Sequence, residues 1–105
     1  MGKGSLDNLQ RQVRANLASN VRRARLLTAA TQEQVAEAAR MTKNYVGLIE
    51  RGQVNCSLEI IVQLAFALGV SPHVLLLDPG EAAEALLKAT PASSTGRSRA
   101  RARTK

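Results

Sequence analysis

Apolar residues recur at three- or four-residue intervals through most of this chain, and no window alternates apolar and polar positions for long enough to make a half-buried strand. The pattern predicts an all-α fold. Leu6, Leu9, Val13, Leu17, Val21 and Ala24 form one such series, predicting a long first helix from Ser5, a residue suited to an N-cap, to about Leu27. Thr31 predicts a second start. Gln34 stands three residues on as its capping-box partner, Val35 and Ala36 begin a buried face, and Gln32, Glu33 and Glu37 point outward. Arg40 and Met41 read as a turn. Thr42 then caps a third helix, with Val46 and Ile49 inside and Gly52 ending it.

Ser57 opens a fourth helix whose inward set is Leu58, Ile61, Leu64, Ala65 and Leu68, and Gly69 stops it. Ser71 and Pro72 read as a capped start with proline at the first helical position, so a short fifth helix holds Val74, Leu75 and Leu77. Asp78, Pro79 and Gly80 break the pattern. Residues 81–89 allow one more helix, and residues 91–105 contain no large apolar side chain and are expected to be disordered. The expected organisation is an extension of helix one over 1–16, a compact five-helix domain over 17–77, a candidate dimerisation helix over 78–90 and a basic tail.

Charge sharpens this division. Of the net +7, residues 1–16 supply +2 and residues 91–105 supply +5, so the segment between is neutral. Within it, five bases lie between Arg22 and Lys43 and three acids between Asp78 and Glu84, so the two ends of the domain are expected to differ in sign. A basic end suits phosphate, and an acidic, apolar end suits another protein.

The segment from Thr31 to Gly52, two short helices with an exposed polar start to the second, is how a small protein puts a helix into the DNA major groove. Residues 17–76 resemble the helix-turn-helix domain of the lambdoid repressor and Cro (Xre-like) family. The likeness is carried by Val21, Arg22 and Arg25, by Thr31-Gln32-Glu33, by Ala36 between the motif helices, and by Val46 and Ile49. Glu50-Arg51-Gly52 and the run from Leu64 to Val70 complete it. Ala29 and Arg40 stand where that family usually has glycine, and a left-handed conformation at such residues costs roughly 1 kcal/mol.

The resemblance implies a repressor-like fold and assigns roles position by position. Lys43, Asn44, Gly47 and Leu48 fall where the family reads bases. Asparagine pairs bidentately with adenine and lysine donates to guanine, each good pair being worth about 1–3 kcal/mol of discrimination. For Leu48, contact with a thymine methyl and partial packing are equal alternatives, as are a phosphate contact and packing alone for Tyr45. Thr31, Gln32 and Thr42 are expected at phosphates, where helix N-termini meet anions. Arg51, Gln53 and Asn55 are expected along the sugar-phosphate backbone. Arg25 and Glu50 match a pair that bridges helix one to the end of helix three, a structural role.

The remaining chemistry is sparse. Cys56 is the one cysteine and His73 the one histidine, with no carboxylates at ligand spacing, so no metal, cofactor or enzymatic activity is expected. No long apolar run or leader pattern is apparent, and a cytoplasmic protein without a membrane partner is the expectation. The resemblance implies a transcriptional regulator acting as a homodimer on a palindromic operator in double-stranded DNA. Such a regulator is a repressor or autoregulator, with faint similarity to the controllers of restriction-modification systems. RNA polymerase and a toxin are the candidate protein partners, since the alternative class is an antitoxin or other protein-binding module.

Overall fold

Three hydroxyl side chains start three of the helices in the computed structural model, which describes residues 3–88. Helix α1 spans Lys3–Leu27, α2 Gln32–Ala39, α3 Lys43–Glu50 and α4 Leu58–Leu68. A 3-10 helix follows over Pro72–Leu76, and residues 79–88 form a further helix, α5. Thr31, Thr42 and Ser57 each accept a hydrogen bond from the backbone N–H three residues on, at 3.0, 3.0 and 3.2 Å. At Thr31 the box is complete, because Gln34 Oε1 accepts from the Thr31 N–H.

The ends of the helices are equally legible. Ala29 (φ 57°) and Arg40 (φ 62°) are left-handed, at the two positions where glycine was expected from the resemblance. Arg40 tolerates this because its N–H closes back onto α2 and Met41 N–H reaches Ala36 O at 2.9 Å. Gly52, at φ 70°, lets the chain leave α3 while its N–H bonds Ile49 O.

The core is built from one stripe of each element. Leu17, Val21 and Ala24 of α1 meet Val35 and Ala36 of α2, Val46 and Ile49 of α3, and Leu64 and Leu68 of α4. Leu75, Ala82 and Leu86 close the far side, so α5 packs into the same core as the helices before it. Full burial of side chains the size of Ile49 or Leu64 stabilises the domain by about 1.5–3 kcal/mol each.

The structure corrects several expectations. The first helix begins before Ser5, which lies inside it, and its stripe is buried only from Leu17 on; Leu6 and Leu9 remain 54% and 57% exposed because α1 outruns the elements it packs against. Leu58 is 72% exposed, since the first position of α4 precedes the turn that reaches the core. The fifth element is a 3-10 helix, and Ser71 makes no side-chain cap. The fifth element ends before Asp78 as expected, but α5 starts at Pro79 rather than Glu81, with Gly80 N–H donating to Asp78 Oδ2 at 3.0 Å and proline at the first helical position. Leu86, on the candidate dimerisation helix, is buried in the domain's own core together with Val74 and Leu75. Among the described residues no helix is long and apolar enough to cross a membrane. The basic tail lies outside the described residues.

Candidate nucleic-acid interface

The pair α2–α3 is fixed by a polar network anchored on α1. Arg25 Nε and Nη2 donate to Glu50 Oε2 and Oε1 at 2.7 and 3.0 Å, a bidentate pair whose side chains are 13% and 4% exposed. Arg25 Nη1 also donates to Ala30 O at 3.1 Å, tying the loop before α2 to the same guanidinium. Hydrogen bonding and attraction to Glu50 outweigh partial burial and hold the Arg25 guanidinium above its ordinary range. It remains charged. Gln32 Nε2 supplies a third donor to Glu50, at 3.0 Å from Oε1, so the first residue of α2 is locked to the last residue of α3.

A second clamp lies on the other side of the turn. Gln63 Nε2 of α4 donates to Ala39 O at 2.6 Å, satisfying a carbonyl at the C-terminal end of α2 that has no helical partner. Sequence reasoning missed Gln63, which follows from α4 crossing α2 and not from any local spacing.

Upon this frame the start of α3 stands free. Lys43 and Asn44 are exposed immediately after the Thr42 cap, and Leu48, one turn on, is half-buried. Tyr45 packs its ring against the core and is also half-buried. Thr31 and Thr42 use their hydroxyl oxygens as acceptors in the caps, which leaves each hydroxyl proton to donate outward. The amides of Gln32 and Glu33 have no partner within α2, so the helix start can receive an anion. Gln32 carries two amide protons, and the bond to Glu50 uses one.

Gly47 is the exception among the expected base-reading positions. It is buried, and a Cβ there would stand 3.2 Å from Arg51 Nη1 and 3.7 Å from Gln32 Oε1. Residue 47 faces the start of α2, a register that a residue without a side chain does not announce. Its role is to let Arg51 and Gln32 lie over α3. Arg51 Nε in turn donates to Gln53 Oε1 at 3.2 Å, and Arg51, Gln53 and Asn55 are all exposed along the loop leaving α3.

Asn20 was also missed. Its Nδ2 donates toward Val74 O, Leu75 O and Leu77 O at 3.4, 3.0 and 2.8 Å, so a fully buried amide on α1 holds the 3-10 helix in place. The available signal was a polar residue in register with Leu17, Val21 and Ala24. Cys56 is half-buried and burial pushes its thiol pKa up, the opposite of an activated thiolate. No cluster of metal-ligating side chains occurs among the described residues.

Known proteins resemble this chain in sequence and fold. Residues 16–77 match the helix-turn-helix domain family. A protein of Neisseria meningitidis serogroup B described as a hypothetical transcription factor is 38% identical over 72 residues, covering 69% of this chain and 68% of that protein. The control protein C.SmaI of Serratia marcescens is 39% identical over 64 residues, 61% of this chain and 76% of that protein. The solved structure of the restriction-modification controller protein C.AhdI from Aeromonas hydrophila matches with a TM-score of 0.58 at 35% identity, over 59% of this chain and 94% of that one.

Proposed function

The chain belongs to the Xre-like helix-turn-helix family of DNA-binding transcriptional regulators, and on that ground we propose that it is a homodimeric repressor or autoregulator that reads a palindromic operator by placing α3 in the major groove. The observation that carries the reading is the free first turn of α3, with Lys43 and Asn44 exposed on a helix whose position is fixed by the Arg25–Glu50–Gln32 network.

In this reading Asn44 and Lys43 contact base edges and Leu48 approaches a thymine methyl. Thr31, Gln32, Thr42 and Tyr45 flank them on phosphates. Arg51, Gln53 and Asn55 follow the backbone beyond the recognition helix. Two copies are needed because one domain of this size contacts too few base pairs to select an operator, and half-sites are expected about 10 bp apart or a multiple of that. The role is one of binding rather than catalysis, exercised in the cytoplasm. Similarity to proteins named as controllers favours occupancy that follows the protein's own concentration.

Selection of bound duplexes from a random pool tests this. Recovery of a palindrome whose preference collapses in Asn44→Ala is the expected result, and recovery of no enriched sequence overturns it.

A further inference from the structure

The first part of α1 lies outside the matched family region, which begins at residue 16, yet it shares a cleft with the loop that leaves α3. The cleft, of about 590 Å³, is lined by Asn8, Arg11, Gln12 and Arg14 of α1 and by Arg51 and Gly52. Three arginines therefore line one space, and among the described residues no carboxylate lines it. Like charges gathered in this way repel, and an entering anion reverses the sign of that interaction.

Two of the three arginines, Arg11 and Arg51, also bond a neighbouring side chain. Arg11 and Arg14 lie three residues apart and so on one face of the helix. Arg11 Nη2 donates to Asn8 Oδ1 at 3.0 Å, and Arg51 Nε donates to Gln53 Oε1 at 3.2 Å. Each bond uses one of five guanidinium N–H groups and fixes the plane of the fork, leaving donors in the geometry that suits phosphate oxygens. Asn8 and Gln12 add neutral amides on the same wall, of the kind that bond phosphates in protein–DNA contacts.

We propose that Arg11, Arg14 and Arg51 form a clamp for a DNA backbone phosphate, extending the interface from the helix-turn-helix onto the N-terminal part of α1. The inference rests on the DNA-binding reading given above. Arg51 links the two regions, because its Nη1 covers Gly47 of α3 while its side chain lines the cleft. A phosphate in the cleft is thus one guanidinium away from the recognition helix, on the strand that borders the occupied groove. The clamp positions the protein and reads no sequence.

The test is the salt dependence of duplex binding by the full-length chain, followed by fluorescence anisotropy in sodium chloride for wild type, R11Q/R14Q, R11K/R14K and R22Q/R23Q. Loss of the one phosphate contact makes the slope of log K against log salt shallower by about 1. R11Q/R14Q is expected to show that shift with unchanged base preference, and R11K/R14K to keep the wild-type slope. R22Q/R23Q removes the same charge from exposed positions of α1 outside the cleft and is expected to shift the slope less. A wild-type slope in R11Q/R14Q overturns the clamp, as does an equal shift in R22Q/R23Q, which marks diffuse charge. Thermal melts of all four proteins confirm folding. The operator reading fails separately, when wild type prefers no sequence over random duplex, and the slopes measured on random duplex then still decide the clamp.

Discussion

Two polar side chains on α1, Asn20 and Arg25, reach across the molecule to hold distant segments, and they do so by opposite means. Asn20 is neutral and wholly buried, and it fans one amide over three carbonyls of the 3-10 helix and its exit. Arg25 is charged and partly exposed, and its partner Glu50 has a second donor in Gln32. The first anchor is hard to replace: its bonds to the Val74 and Leu75 carbonyls are buried, although Val74 O also accepts the Leu77 N–H at 3.3 Å. The second is a network in which one member's loss is softened by the others. A buried neutral amide sets whether the C-terminal segments pack, while the charged network sets how α2 and α3 face outward.

The largest expected effect follows from removing the unsupported anchor. Asn20→Leu strands the buried Leu75 carbonyl and releases the exit of the 3-10 helix at Leu77, and costs about 3 kcal/mol of stability, read as a lower Tm in thermal unfolding. DNA affinity measured where the variant is still folded should stay near wild type. Arg25→Met leaves Glu50 buried without its cation and costs about 2 kcal/mol, below the range for fully buried pairs because solvent and Gln32 compensate in part. Unlike Asn20→Leu, it should weaken DNA binding at temperatures where the fold persists. Adding Glu50→Leu to it should return much of the stability but not the binding; recovery of both would erase the distinction drawn between the anchors.

Smaller changes probe the ground between them. Arg40→Gly removes the side chain from a left-handed position and is expected to stabilise by about 0.5–1 kcal/mol, a rise in Tm that leaves both anchors intact. Leu58→Ser should change stability by less than about 0.5 kcal/mol, since that side chain is almost entirely in solvent.

Much of the fold was legible because its punctuation is local. Thr31, Thr42 and Ser57 are caps both by sequence and by hydrogen bond, and the strained turns at Ala29 and Arg40 stand where the resemblance called for glycine. What failed was information that periodicity does not carry. The stripe Leu6–Leu9–Val13 has the right spacing to be buried but stays exposed, with Leu9 and Val13 at an open cleft beside Ile61 and Leu76, and the apolar Leu58 sits one turn too early. In the interface, the Arg25–Glu50 pair was legible from the resemblance, whereas the bonds of Asn20 and Gln63 depend on how helices cross. At Gly47 a residue without a side chain gives no hint that it faces Arg51 and the start of α2.

The reach of Asn20 also bears on biosynthesis. A nascent chain that has emerged as far as residue 50 already holds both halves of the Arg25–Glu50 pair, so the frame around α2 and α3 can begin to close during synthesis. Asn20 must wait for partners 54 to 57 residues downstream: until Val74 has left the ribosome its amide has none of the carbonyls it will bind, and the last of them arrives only with Leu77.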